Sequence, residues 1–339
     1  MNKLKIGIVG LGRLGFTHAV NISGRIKGAE LVAACSLKQD ELSKASAELG
    51  IPVGSCYQKF EDMLAKEKLD AVAIVSSSDQ HCKQVLAALQ WGLHVFCEKP
   101  LGVTIDECKE VEQAVAKFNK QVFMLGFMRR YDASYQYAKQ KMDEGYIGRP
   151  ILFRSYSVDP DHSIKGTLAY LPDSAGQFLD MAVHDIDLAR WMLNSEPKTI
   201  YAAGGSYAYP EFEKYNDGDN AAAFMQFENQ SMAFLLAGRT APHGYNIETE
   251  IIGTKATLRI GSVPQKNLVE LLDHSGIRKE CSQSFPERFS QAFESEMQEF
   301  VDCILENRKP GITAHDGTRA TEIAIASTQS FRNKELVKL

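Results

Sequence analysis

Apolar positions in the first third of the chain come as short, nearly continuous runs separated by amphipathic stretches. The runs are Lys5–Val9, Leu31–Cys35, Ala71–Val75, His94–Cys97 and Val122–Gly126. Each is strand-sized and apolar on both sides, which predicts buried strands. Between them, Arg13–Ile26, Asp40–Leu49, Asp79–Trp91 and Ile105–Asn119 show helical spacing. Leu14 and Ala19 mark the inner face of the first helix. Asp40 is the expected N-cap of the second, Gly50 its stop, and Gly92 ends the third. Near-continuous apolar strands alternating with helices predict a parallel sheet covered by helices on both faces, a doubly wound α/β arrangement.

The pattern changes after residue 126. Tyr131–Glu144 reads as a helix ending at Gly145. Strand-like segments then follow at Ile151–Val158, Thr199–Tyr207, Ala221–Phe227, Ser231–Ala237, Ile247–Gly253, Ala256–Ile260 and Leu268–Leu272. A helix is expected over Gly176–Leu193, and two more, Phe289–Glu306 and Asp316–Asn333, close the chain. This predicts an α+β domain with a large open, mainly antiparallel sheet, and a division into residues 1–126 and 127–339. In one strand Ala233, Leu235 and Ala237 alternate with Met232, Phe234 and Leu236, so both faces are apolar. Helices cover one face; a second subunit is expected on the other. The polar stretch Glu211–Asn220 is read as a solvated loop.

Length and composition narrow the class. At 339 residues, 44% hydrophobic and 24% charged, the chain suits two globular domains. A net charge of −5 argues against a nucleic-acid partner. No apolar run approaches membrane-spanning length and no signal segment is seen, so a cytoplasmic protein with no membrane partner is expected. The 7 cysteines are scattered with no C-x-x-C, which suits reduced thiols.

Two motifs carry chemistry. Gly10-Leu11-Gly12-Arg13-Leu14-Gly15 follows a strand and opens a helix. In that context the glycines permit a tight turn, close approach of a pyrophosphate, and close helix packing, with the phosphates at the positive end of the helix. A carboxylate normally follows the second strand and binds the ribose hydroxyls; here Ser36 stands there, with Lys38 nearby. Ser36 suits a hydroxyl or a phosphate, and Arg13 and Lys38 favour a phosphate, so these residues leave NAD and NADP both open. Ser76 and Ser77, after the third main strand, fall on the same sheet edge and are candidates for the nicotinamide-ribose side.

Glu98-Lys99-Pro100 ends the strand His94–Cys97. A lysine at the carboxyl end of a parallel strand faces the ligand crevice, where its ammonium stabilises developing alkoxide character. Asp180 and His184 are four apart on the predicted helix, so they share a face and form an acid–base couple. Leu179, Val183 and Ile186 form its buried face. His184 with Asp180 or Asp187 also has ligand-like spacing, yet no cysteine or histidine cluster joins them, so no metal is expected.

With these residues in hand, the whole chain resembles the Gfo/Idh/MocA family of nicotinamide-dependent sugar and polyol oxidoreductases. Gly126-Phe127-Met128-Arg129-Arg130-Tyr131-Asp132, the run Phe96–Leu101, and His243-Gly244-Tyr245 narrow the resemblance to its inositol dehydrogenase branch. The resemblance implies a Rossmann domain for residues 1–126 and a substrate-binding and oligomerisation domain for 127–339. It implies oxidation of a secondary ring hydroxyl of a cyclitol, with scyllo-inositol ahead of myo-inositol. Lys99, Asp180 and His184 match the family's catalytic lysine, aspartate and histidine. Arg129, Asp159 and His243 are implied substrate contacts, and Glu98 joins the cofactor-binding set. Enzymes of this branch mostly use NAD, often with an aspartate where Ser36 stands, so NAD is expected although this chain departs from the pattern and NADP stays open. A homotetramer is implied. The stretch from Asp161 to Asp173 is expected to be a loop that closes over the polyol. Competing readings are a dehydrogenase of a pyranose or another polyol, and a non-catalytic dinucleotide sensor on the same fold.

Overall fold

A computed structural model describes residues 3–171, 175–261 and 265–339. It divides into two compact units, Met1–Tyr131 with Gln291–Thr321, and Asp132–Ser290 with Glu322–Leu339.

In the first unit the apolar runs form β1 (Leu4–Val9), β2 (Ala29–Cys35), β4 (Ala71–Ile74), β5 (His94–Glu98) and β6 (Phe123–Gly126), with a two-residue β3 (Cys56–Tyr57) at the edge. All pair in parallel in the order β3-β2-β1-β4-β5-β6. The order reverses direction at β1, which opens a crevice at the carboxyl ends of β1 and β4. The connecting helices are α1 (Arg13–Gly24), α2 (Gln39–Leu49), α3 (Phe60–Lys66), α4 (His81–Gln90) and α5 (Ile105–Lys117). Sequence pattern did not resolve β3 and α3, because both are too short to show a period. The N-cap of α2 is Lys38 rather than Asp40, which lies in the first turn with Glu41. Ile6, Ile8, Ala73 and Phe96 from the sheet pack with Ile22 and Phe300 in one core. Each buried isoleucine or phenylalanine among them contributes roughly 1.5–3 kcal/mol.

The second unit opens with α6 (Ala133–Asp143), capped by Asp132, whose carboxylate accepts from the Ser134 and Tyr135 amides. Its main sheet uses β7 (Pro150–Pro160), β8 (Pro197–Gly205), β9 (Asn220–Phe227), β10 (Met232–Ala241), β11 (Asn246–Gly253), β12 (Thr257–Ile260) and β15 (Val337–Lys338), in the order β12-β11-β7-β10-β9-β8-β15. Only the β7–β10 pair is parallel.

Four expectations change here. The segment Leu268–Leu272 does not join the main sheet: it lies in β13 (Gln265–Asp273), which pairs with β14 (Gly276–Cys281) as a separate hairpin with Leu268, Val269 and Leu272 exposed. The stretch from Asp161 is not a plain loop, for Ile164–Tyr170 is helix α7; its last residues, Pro172 and Asp173, lie outside the described residues. Glu211–Asn220 is not simply solvated: Phe212 and Asp219 are fully buried, and Asp219 accepts from the amides of Tyr207, Ala208 and Tyr209. The helix expected over Gly176–Leu193 begins as a π turn, Phe178–Ala182, and continues as α8 (Val183–Leu193).

Alternation on β10 sorts as the sequence pattern implies, with Ala233, Leu235 and Ala237 buried and Met232, Phe234 and Leu236 on the other face, partly exposed. Register continues that outer row across the sheet, from Tyr201 through Phe224 and Phe234 to Arg154 and Glu250.

Candidate active site

The glycine turn is built as a cradle. Gly10 has φ +88°, and a Cβ there would strike the Val75 carbonyl; one on Gly15 would strike the Gly10 carbonyl. Gly12, the N-cap of α1, makes no side-chain cap bond, and a Cβ on it would meet nothing within 4 Å. Gly12 thus leaves open space at the positive end of the helix. Arg13 is exposed and Leu14 packs partly into the core. This geometry fits a dinucleotide pyrophosphate.

Beside it, the Gly10 amide donates to the Cys35 carbonyl at 2.8 Å, which sets Ser36 next to the turn. Ser36 is buried and donates from Oγ to Glu41 Oε2 at 2.5 Å, while accepting from the Lys38 amide at 3.2 Å. Lys38 Nζ donates to Glu41 Oε1 at 3.2 Å. Sequence reasoning missed Glu41, since nothing in the order of residues says that a helical side chain reaches back to the strand end. Ser76 donates from Oγ to Gln84 at 2.6 Å, and Ser77 is the exposed N-cap of the short turn Ser78–Gln80.

Lys99 follows β5 and is half-buried; its amide donates to Glu98 Oε2 at 3.1 Å and its peptide bond to Pro100 is cis. The turn is held from below. His81, fully buried, faces the Pro100 carbonyl with Nδ1 at 2.7 Å and the Ser76 carbonyl with Nε2 at 3.1 Å. Burial pushes the His81 pKa down despite these contacts, and a neutral ring donates to only one of the two. The Glu98 side chain is turned into the core: its Oε1 lies 2.8 Å from His18 Nε2. Glu296, also fully buried, stands 3.9 Å from the same nitrogen, and neither of its oxygens has a hydrogen-bond partner among the described residues. Burial first, and then the charge of Glu98, push the Glu296 carboxyl well above the ordinary range. These three side chains offer ligand atoms within 4.8 Å of one another, and the Glu98–His18 contact already uses one of them. Arg129 is buried to 2% exposure in the short turn Met128–Tyr131, and its neighbour Arg130 pairs with Asp316 at 3.0 Å.

In the second unit the π turn is the informative element. From Gly176 to Arg190 every residue is buried except Asp180 and His184, which are partly exposed. The rest of the segment is fastened from beneath, for Asp185 accepts from the hydroxyls of Ser155 and, at 2.7 Å, Ser157 on β7. Single π turns inside α-helices occur often at functional sites.

Asp180 Oδ2 accepts from Arg239 Nη2 and, at 3.1 Å, from Tyr170 Oη at the end of α7. Arg239 also donates from Nη1 to Asp159 and from Nε to Gln177 Oε1 at 3.1 Å. Arg239 is 4% exposed. Burial opposes its charge, but Asp180 and Asp159 outweigh that and raise its pKa, so it stays cationic. Burial, then the charge of Asp180, push the Tyr170 hydroxyl up to about 12, which keeps it a donor. Asp159 and Asp180, far apart in sequence, are thereby joined by an arginine that no motif announced. His243 is exposed in the turn before β11, where its carbonyl accepts from Gln283 at 3.4 Å.

Family models match both parts of the chain: an oxidoreductase family domain with an NAD-binding Rossmann fold (GFO_IDH_MocA) over residues 4–127, and a GFO/IDH/MocA C-terminal domain over residues 135–259. The structure superimposes on scyllo-inositol dehydrogenase from Lactobacillus casei, solved with bound NAD(H) and scyllo-inositol, with a TM-score of 0.96 and 47% identity over 99% of both chains. A myo-inositol 2-dehydrogenase from Lactobacillus plantarum gives a TM-score of 0.97 and 38% identity over the full length of both. In sequence, the chain is 32% identical over 340 aligned positions to scyllo-inositol 2-dehydrogenase (NAD(+)) of Bacillus subtilis, covering 100% of this chain and 97% of that protein.

Proposed function

The chain belongs to the Gfo/Idh/MocA oxidoreductase family, and from that premise we propose that it oxidises one secondary ring hydroxyl of a cyclitol to the ketone, with scyllo-inositol preferred to myo-inositol. NAD, when bound, supplies the hydride acceptor. The observation that carries the reading is the buried segment from Gly176 to Arg190, which leaves only a carboxylate and an imidazole partly exposed.

In this reading His184 takes the hydroxyl proton, as an imidazole suits a base near neutral pH. Asp180 orients that imidazole. Arg239 and Tyr170 hold the Asp180 carboxylate, so its direction is set before substrate arrives. Lys99 polarises the same oxygen with its ammonium. Asp159 and His243 are assigned to the polyol hydroxyls. Arg129 is assigned there too, although its burial favours a role through the turn that carries it. The cofactor is assigned to Gly10, Gly12, Arg13, Leu14, Gly15, Ser36, Lys38, Ser76, Ser77, Glu98 and Lys99, with Glu98 acting through its backbone because its carboxylate faces His18. We draw the division between dinucleotide and substrate domains at residues 126 and 127.

The same reading makes the protein a cytoplasmic homotetramer. Scattered free thiols support the compartment. The outer row Tyr201, Phe224 and Phe234 supports the assembly, since Tyr201 and Phe224 are about 46% and 45% exposed in the single chain. Light scattering at micromolar concentration should give a multiple of the chain mass; a strict monomer would remove that part.

A steady-state screen of inositol isomers and simple sugars against NAD tests the activity. Scyllo-inositol should give the highest kcat/KM, and His184→Ala should lower turnover by roughly 10²–10⁴. A folded His184→Ala protein with normal turnover would end the assignment.

A further inference from the structure

We infer that Glu41 is the residue by which this chain selects NAD over NADP, replacing from a helix the carboxylate that strand β2 lacks at its end. The inference rests on the dinucleotide-binding part of the function proposed above. Ser36 occupies the first position past β2, buried, and next to the glycine turn through the Gly10 amide bond to Cys35. In a sheet of this order that position lies beside the adenosine ribose.

A serine by itself would accept a ribose hydroxyl or a 2′-phosphate equally well. The structure removes that neutrality. The single Ser36 hydroxyl proton is committed to Glu41 Oε2 at 2.5 Å, and Oγ already accepts from the Lys38 amide. What Ser36 retains is acceptor capacity, which suits a hydroxyl donor and not a phosphate oxygen. Glu41 adds a negative charge at the same spot; its side chain is about 21% exposed. Lys38, the cation nearest in sequence that would attract a phosphate, has its ammonium on Glu41 Oε1 at 3.2 Å. A 2′-phosphate would therefore meet a carboxylate within a few ångströms, with the adjacent lysine already drawn to that carboxylate. A 2′-hydroxyl would meet two acceptors.

The test is equilibrium binding, read by calorimetry or by quenching of intrinsic fluorescence, of NADH and NADPH to the wild-type protein and to Glu41→Gln, Glu41→Asp and Ser36→Ala. The wild type should bind NADH more tightly. Glu41→Gln should shift the NADH/NADPH affinity ratio toward NADPH by about ten- to a hundredfold, the scale of one like-charge contact near a protein surface. Glu41→Asp, which keeps the charge, should restore part of the preference, an outcome that a purely structural role for Glu41 does not produce. Thermal melting checks that each variant is folded. Should Ser36→Ala alone carry the whole shift while Glu41→Gln leaves the ratio unchanged, the inference fails. It fails equally if the wild type prefers NADPH. Binding of neither dinucleotide would overturn both this inference and the proposed function. NADH binding with the expected shift, but no oxidation of any cyclitol, would leave Glu41 in its role and overturn the substrate assignment alone.

Discussion

Two polar clusters, one in each unit and each built on a buried charged or titratable side chain, solve the same physical problem in opposite ways. In the first unit His18, Glu98 and Glu296 bring two carboxyls and an imidazole together in the core with no arginine or lysine among them. In the second, Arg239 stands between Asp159 and Asp180 and donates to Gln177 as well. Burying a charge is costly unless it is paired, and a carboxyl without a cation escapes the cost by keeping its proton. Burial and the charge of Glu98 bias Glu296 in that direction. In the arginine cluster the guanidinium stands against two carboxylates and stays cationic. The lesson is one of use: a cluster that neutralises itself serves to pack and position, whereas one that stays ionised holds a carboxylate ready for chemistry. The first lies under the turn that carries Lys99, and the second grips the residue beside His184.

The comparison is broken most severely at Arg239. Arg239→Met leaves two carboxylates without their cation, and should cost about 3–5 kcal/mol by urea denaturation. Turnover should fall with it, and Arg239→Lys should recover part of the stability and less of the activity, since a lysine lacks the fork that reaches both partners. A fully stable, fully active Arg239→Met would show that the two carboxylates do not depend on their pairing.

Glu296 sharpens the comparison through pH. A carboxyl whose folded pKa lies above its unfolded value stabilises the fold fully below the unfolded pKa, and that contribution is lost as pH rises toward the folded value. Glu296 should therefore make the wild type less stable with rising pH above the ordinary carboxylate range, by up to about 1.4 kcal/mol per pH unit. Glu296→Gln, which mimics the neutral acid, should remove that slope while changing stability little at acidic pH. Parallel stability–pH curves for the two proteins would mean that Glu296 is ionised in the fold.

The smallest effect is expected at the rim of the second cluster. Tyr170→Phe removes one donor to Asp180 from a partly exposed position, worth about 1 kcal/mol. Read as kcat/KM for scyllo-inositol, the loss should be roughly fivefold. No change would make Tyr170 a spectator and leave Arg239 as the holder of Asp180.

Residues near one another in the chain were the legible ones. The glycine turn could be read because three glycines, a strand before and a helix after all lie within a few residues. Glu98-Lys99-Pro100 was legible because a strand end is a local feature. Asp180 and His184 were visible as a pair, but the π turn beneath them was not, since a single extra residue in a turn leaves no periodic trace. Helix α7 was hidden because seven residues are too few for an amphipathic pattern, and β13 resembled a core strand because Leu268, Val269, Leu271 and Leu272 make a short apolar run.

By itself, then, the order of residues determined the fold class and the parallel sheet with its dinucleotide turn, and it put forward the lysine, aspartate and histidine assigned to the proposed chemistry. Only the tertiary structure decided that Arg239 joins Asp159 to Asp180, that Glu98 faces His18 and Glu296, and that Glu41 reaches Ser36. The physical reason is that periodicity and turn chemistry act over a few residues and are written along the chain. The partner of a buried charge is chosen by which strands and helices pack together, and that choice leaves no mark on the neighbours of either residue in sequence.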